Sequence, residues 1–169
     1  MGAWIQADDL RGFLTNSKAD DEPYLSLAAE IGCGEVDKAC GPTLLKTIPD
    51  ERVETAKHRA LLSCRVRALT SVVDATTSED VTDQFVAVKQ TLRRVDGGRV
   101  GGPLLVTFTS GEDAVPEWAR SAALHVAQQY LATMRRFAVA GNPAPTGFLV
   151  PNVAMEEMQG HLLISGLGM

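Results

Sequence analysis

The feature that most constrains the fold is a long amphipathic segment that begins near Val115 and ends near Gly141. Its apolar residues recur at intervals of three and four positions, which places them on one stripe of an α-helix. Many of them are alanine, so a partner helix can approach closely. The segment therefore predicts a long helix that packs against other elements. The stripe consists of Ala119, Ala122, Ala123, Val126, Ala127, Tyr130, Met134 and Phe137.

Two helices are predicted before this segment. The first begins at Asp8 or Asp9, either of which can serve as its N-cap, and ends near Leu14. The second begins at the sequence Asp21-Glu22-Pro23, because acidic residues and proline are both favoured in the first turn of a helix. It ends at Gly41, which can adopt the left-handed conformation and is followed by a proline.

The start of the long helix and a fourth helix are also indicated. Ser110 or Asp113 can cap the long helix, which ends where the sequence Gly-Asn-Pro begins at residue 141. After a loop rich in proline, Asn152 is a suitable N-cap for a final helix from Val153 to about Leu163.

Residues 47–110 show a different pattern, in which β-branched residues lie between turn signals. Partial alternation predicts strands over Leu62–Val73 and Gln84–Val95, and Leu104–Thr109 is a clear strand. The sequence Asp96-Gly97-Gly98-Arg99 predicts a hairpin turn, because glycines supply the positive φ that primed turns require. We therefore expect three or four antiparallel strands.

Together these elements predict an α+β fold: a mostly helical domain of about four helices, with an antiparallel β-hairpin or small sheet inserted before the long third helix. The 169 residues, of which 45% are hydrophobic, suffice for one domain with a substantial core. We expect a single domain over residues 1–169, with a β-rich insertion at about 47–110.

The net charge of −5 is unevenly distributed, with most of the acidic excess in the first fifty residues. An acidic chain is a poor candidate for non-specific nucleic-acid binding, and such asymmetry suits head-to-tail contacts between copies. The sequence contains no apolar run long enough for a transmembrane helix and no pattern typical of a signal peptide. Three cysteines without paired spacing suggest reduced thiols in the cytoplasm.

The sequence predicts no catalytic residue, no cofactor site and no metal site. A pair such as Cys64 with His125 stays possible, but no local catalytic signature surrounds either residue. Cys33 and Cys40 have the wrong spacing for a zinc site and are better read as small buried residues. The glycine-rich stretch 97–103 lies inside the predicted hairpin and opens no helix, so it does not predict a phosphate site.

The residues with a plausible role in binding lie mainly on the long helix. Trp118 and Tyr130 are either core anchors or interface anchors. Arg135 and Arg136 either complement the helix dipole or contact an acidic partner. A modest basic patch is predicted on and before one strand face: Lys57, His58, Arg59, Arg65 and Arg67.

The order of these signals resembles the head-to-tail connector (adaptor, or head-completion) proteins of tailed bacteriophages. The middle region, residues 47–110, departs from the compact pattern of that family because it is longer and richer in strands. The residues that carry the resemblance are Asp8–Leu10, Asp20–Glu22, the helix that ends at Gly41, Val115–Trp118, Arg135 with Arg136, and the stretch from Pro145 through Phe148 to Asn152.

The resemblance implies a structural virion protein, not an enzyme, that is assembled in the host cytoplasm. Its copies would form a ring, commonly a dodecamer, that binds the portal protein and presents a surface to the next head-completion or tail protein. Double-stranded DNA would pass through the ring without specific binding, and neither a cofactor nor a membrane is involved. The candidate assembly-interface residues are Trp118, Tyr130, Arg135, Arg136 and Phe148.

Two other hypotheses stay open at this point. The chain could be another neck component, such as a stopper or a tail-completion protein. It could also be a small cytoplasmic enzyme or regulatory binding module that uses Cys64, His58 or His125.

Overall fold

The computed structural model describes residues 3–15, 22–55, 57–140 and 150–163. The chain divides into two compact units, which we call the helical unit and the β unit. The helical unit contains residues 1–40 and 115–162, and the β unit contains residues 41–114 and 163–169. All strands of the described residues lie between the second and third helices, so the predicted α+β class and the position of the strands are confirmed.

The helical unit contains four helices within the described residues: α1 (Ala7–Phe13), α2 (Glu22–Cys40), α3 (Glu117–Ala140) and α4 (Asn152–Met158). They enclose one hydrophobic cluster, to which every helix contributes. The first five residues of the predicted stripe on α3 are all fully buried, which confirms the amphipathic pattern: Ala119, Ala122, Ala123, Val126 and Ala127.

Small residues bring α2 and α3 close together. Ala28 and Ala29 of α2 are buried, as are the alanines of the α3 stripe. At Gly32 the contact is closest, because a Cβ atom at this position would lie 2.3 Å from the main-chain oxygen of Ala123. A side chain larger than hydrogen therefore cannot be accommodated at Gly32 without moving α3.

The boundaries of α1 and α2 are close to those predicted, but the cap of α1 is different. The N-cap is Gln6, not Asp8 or Asp9, because the helix already begins at Ala7. Asp9 instead accepts a hydrogen bond of 2.8 Å from the backbone N–H of Gln6 and thereby contributes the N3 half of a capping box. At the end of α2, Gly41 has a φ of +86°, so its predicted left-handed conformation is confirmed.

The predicted caps of α3 and α4 were wrong. Ser110 is a buried residue at the end of a strand, and Asp113 forms an ion pair with Arg67, so neither caps α3. Pro116 instead provides the main-chain oxygen that accepts the first hydrogen bonds of α3. Asn152 is the first residue of α4, whose N-cap is Pro151, and the helix ends at Met158 instead of near residue 163.

The β unit forms two three-stranded antiparallel sheets, with strand orders β1-β6-β3 and β2-β5-β4. Buried side chains from both sheets share one hydrophobic cluster. Within it, Phe108 of the central strand β6 is fully buried. The strands are β1 (Lys46–Thr55), β2 (Ala60–Leu61), β3 (Ala68–Asp74), β4 (Phe85–Val88), β5 (Thr91–Arg94) and β6 (Gly101–Ser110).

The predicted hairpin at residues 96–99 was wrong. β5 and β6 belong to different sheets, so this segment connects the sheets, and the glycine-rich stretch that follows it leads into β6. Gly97 does adopt a positive φ of +74° in a turn. The hairpin in this region lies earlier: β4 pairs with β5 across Lys89 and Gln90, and Lys89 has a φ of +55°.

The number and extent of the strands also differ from the prediction, since six strands are present among the described residues instead of three or four. Strand β1 was missed because it is mostly exposed and contains Pro49 and a bulge at Asp50, which obscure any alternation. The predicted strand over 62–73 is a strand only from Ala68 onward. Consequently Arg65 and Arg67 do not project from a strand face.

Candidate assembly interface

Trp118 and Tyr130 lie on α3 and are both partly buried against the hydrophobic cluster of the helical unit. The indole ring of Trp118 stacks on the imidazole of His161, with ring centroids 3.9 Å apart and planes 8° apart. His161 follows α4, so the stacked pair joins α4 to the beginning of α3. Trp118 therefore contributes to packing within the helical unit, and its partly exposed surface is what a neighbouring molecule could contact.

The other candidate residues lie toward the C-terminus of α3 and beyond it. Arg135 is partly buried and has an interaction partner within the protein. Arg136 lies on α3 but before its last turn, which contains no basic residue. Phe148 falls outside the described residues, as do Asp20, Asp21 and the stretch from Pro145 to Gly147.

The polar cluster at the α3–α4 contact consists of Ser121, His125 and Glu157. The Ser121 hydroxyl donates a hydrogen bond of 2.6 Å to Oε1 of Glu157, while Nε2 of His125 lies 4.0 Å from the same oxygen. A catalytic serine needs its hydroxyl proton directed at a base such as histidine, with the carboxylate behind it. Here the hydroxyl donates its hydrogen bond to the carboxylate and not to the histidine, so the cluster joins the two helices.

Cys64, the cysteine named as a possible nucleophile, is buried, and so are the other two cysteines. Cys33, Cys40 and Cys64 are all free thiols with little exposed surface. Burial raises the pKa of the Cys33 thiol, which keeps it in the protonated and less reactive form. His58 is exposed, and its Nδ1 lies 3.1 Å from the main-chain oxygen of Gly97. Within the described residues, no group of three His, Cys, Asp or Glu side chains could hold a metal ion.

Several acidic residues of the β unit are held in local hydrogen bonds that favour their charged form. The side-chain hydrogen bond from Arg67, at 2.5 Å, lowers the pKa of Asp113. Arg94 lowers the pKa of Asp96 in the same way. Asp74 accepts backbone N–H groups of Thr76 and Thr77, and these hydrogen bonds lower its pKa too.

We expect these carboxyl groups to make the β unit acid-sensitive. A carboxyl group with a lowered folded-state pKa contributes stability that is present above its unfolded value, here 3.8, and that is lost as pH falls through the folded value. NMR titration of the side-chain carbons of Asp74, Asp96 and Asp113 should give midpoints below 3.8. The control is Arg67→Gln, which should raise the midpoint of Asp113 and leave that of Asp74 unchanged. If Arg67→Gln left the midpoint of Asp113 unchanged, the hydrogen bond from Arg67 would not be the cause of its lowered pKa.

A further surface lies on the sheet β2-β5-β4, on the side opposite the core. The register places Leu61 opposite Thr91, Thr91 opposite Val88, and Arg93 opposite Val86. Since side chains alternate along a strand, these residues share one face, whereas Leu92 and Phe85 are buried on the other. We call this surface the outer sheet face and define it as Leu61, Val86, Val88, Thr91 and Arg93.

The outer sheet face exposes three large apolar side chains. The side chains of Leu61, Val86 and Val88 are 46%, 43% and 42% exposed. Arg93 lies among them, and its Nε–H is buried without a hydrogen-bond acceptor in the part of the chain that the structure describes. An exposed apolar patch around an arginine is typical of a protein–protein contact.

No protein-family model matches the chain, and no curated protein matches it. Among solved structures, it is similar to a chain in the neck of an empty GTA particle, computed with C6 symmetry. The two chains are 14% identical, the match covers 98% of this chain and 92% of that chain, and the TM-score is 0.56. At this identity the likeness establishes a shared fold.

No helix in the described part of the chain is both long and apolar enough to span a bilayer.

Proposed function

We propose that this protein is a structural component of the neck that joins the head of a phage-like particle to its tail. The observation that carries the proposal is the shared fold with the neck chain of a GTA, a phage-like gene transfer agent. The match extends over nearly all of both chains, so it includes the helical unit as well as the β unit. The sequence pattern that resembles connector proteins supports the same role independently.

Within the neck, we assign the protein to a ring of identical protomers beneath the portal. That arrangement is supported by the cyclic symmetry used for the related neck, since closed rings arise when each copy offers two different surfaces to its neighbours. In this role residues 1–169 act as one connector domain that carries the β unit as an insertion. The ring would contain twelve copies and would be assembled in the host cytoplasm before it becomes part of the virion.

The contacts of this ring would include the candidate residues on α3 and after it. Arg135, Arg136 and Phe148 would contact the neighbouring copy, the portal protein or the next head-completion or tail protein. Trp118 and Tyr130 would present their exposed edges to the same partners. Because both aromatic residues also pack against the core, a truncation at Trp118 would disturb folding and assembly together.

The charge of the chain suits a channel through which DNA passes. With a net charge of −5, the protein has no overall attraction for phosphates, so double-stranded DNA could slide past it without specific binding. Such a role requires no cofactor, because the protein would bind other proteins and would not catalyse a reaction.

The mixture of helix and strand favours an adaptor over the other neck components. Helices account for 38% of the residues and strands for 29%, whereas a stopper dominated by a β-barrel would have the opposite balance. The arrangement of Ser121, His125 and Glu157 gives no support to the enzyme hypothesis, since the hydroxyl proton is directed at the carboxylate.

The proposal is tested by deleting the gene from its source genome and examining the particles by electron microscopy. We expect DNA-filled heads that lack tails, and we expect the purified wild-type protein to bind these heads in vitro and restore tail attachment. Direct binding to portal-bearing heads supports the adaptor assignment, whereas binding only after another neck protein has been added assigns it to a later neck component. Tailed, infectious particles without the protein would overturn the proposal.

A further inference from the structure

We propose that the outer sheet face of one copy docks on the N-terminal groove of a second copy of this chain. This groove is a cavity of about 310 Å³ between the segment before α1 and the beginning of α2. Its lining is mixed: Ala3 and Ala29 contribute apolar atoms, whereas Ser26 and Glu30 contribute polar atoms. The proposal rests on the assembly role proposed above and names the surfaces that would form the contact.

The helix beside the groove has the surface expected of a docking site. Tyr24 and Leu27 of α2 are 41% and 43% exposed, although both are large apolar side chains. Glu30 is exposed and forms no ion pair or hydrogen bond with any described residue. The helical unit as a whole has eleven acidic and six basic residues, so the groove lies on the acidic part of the chain.

The outer sheet face has the complementary character. Arg93 lies between apolar side chains, and none of the five residues of the face is acidic. Arg59, which directly precedes β2, is exposed and likewise makes no ion pair within the described residues. A carboxylate such as Glu30 of a second copy can accept hydrogen bonds from a guanidinium. The exposed apolar side chains beside Arg93 would then bury the exposed apolar side chains beside the groove.

These two surfaces favour a second copy over other occupants. Nucleic acid would use the arginines but would leave Leu61, Val86 and Val88 exposed, so the apolar rim points to protein. Every copy carries one outer sheet face and one groove, which is the requirement for a heterologous contact that repeats around a ring. The match of charge and of apolar surface therefore identifies this chain as its own partner.

The experiment uses charge reversal in the full-length chain. Arg93→Glu and Glu30→Arg should each lower self-association by about 100-fold, because each places like charges at the contact. A 1:1 mixture of the two variants should associate again, since every contact then joins opposite charges. Sedimentation velocity over a concentration series measures the association, and circular dichroism verifies that both variants are folded. Arg99→Glu and Glu79→Arg change the net charge equally at other exposed positions and should have no effect.

Each other outcome overturns the inference. A wild-type chain that stays monomeric at concentrations of about 1 mM has no such contact. Self-association that survives both reversals, or that is not recovered in the mixture, places the contact elsewhere. Unchanged self-association together with weaker binding to portal-bearing heads would make the outer sheet face a site for another neck protein. In these last cases the proposed neck function would stand, because it is tested separately by the particles that lack the protein.

Discussion

Replacement of Gly32 with leucine is expected to destabilise the helical unit by about 3 kcal/mol or more. A Cβ atom at this position would lie 2.3 Å from the main-chain oxygen of Ala123 and 3.3 Å from the Cβ of Ala127. Because the closest atom belongs to the backbone of α3, no change of side-chain rotamer relieves the clash. The helices must move apart, and the buried contacts between α2 and α3 are lost. Urea denaturation followed by helical circular dichroism measures the effect.

The matched control is Gly34→Ala, two residues further along the same helix. Nothing lies within 4 Å of a Cβ atom at Gly34, which is exposed to solvent. Alanine is a better helix former than glycine, so this variant should gain up to about 1 kcal/mol. If Gly32→Leu proved as stable as Gly34→Ala, the close packing of α2 on α3 would be incorrect.

Much of this helical packing could be predicted from the sequence. The repeating alanines of α3 predicted both the buried stripe and the close approach of a partner, and Gly41 marked the end of α2. The N-caps were harder to predict, because several polar residues precede a helix and the backbone conformation determines which of them caps it. Asp113 has the chemistry of an N-cap, yet Arg67, which lies far from it in the sequence, holds it in an ion pair.

The β unit shows the limit of prediction from local pattern. A glycine pair such as Gly97-Gly98 indicates a turn but does not say whether the strands on either side pair with each other. Here they belong to different sheets, a fact determined by long-range contacts such as β1 with β6. The outer sheet face could not be predicted for the same reason. The sequence shows Val86, Val88 and Arg93, but only the register places them on one exposed surface.

The candidate residues on α3 illustrate a different limit. Trp118 and Tyr130 could be read as core anchors or as interface anchors, and the structure gives both a partly buried position. The stack of Trp118 on His161 could not be inferred, because the two residues are distant in the sequence. Large apolar side chains that are more than 40% exposed, such as Leu27 and Val86, are the better guide to contacts with other molecules.

Replacement of Phe108 with alanine is expected to lower the stability of the β unit by about 3–5 kcal/mol. Phe108 is fully buried on the central strand of its sheet, between Ile48 of β1 and Leu69 of β3. Truncation leaves a cavity that these strands cannot fill, because their backbones are fixed by the hydrogen bonds of the sheet. Guanidinium denaturation measures the loss, and an unchanged transition midpoint would contradict the assignment of Phe108 to the core.

Val86→Ala, on the opposite side of the neighbouring sheet, distinguishes folding from assembly. Because Val86 is 43% exposed, its truncation should change the stability by less than about 0.5 kcal/mol. If the outer sheet face binds a second copy, the same truncation should weaken self-association, since the contact loses apolar surface. Phe108→Ala would impair assembly only through unfolding. A Val86→Ala protein that is stable but associates poorly would therefore show that Val86 is needed for self-association and not for folding.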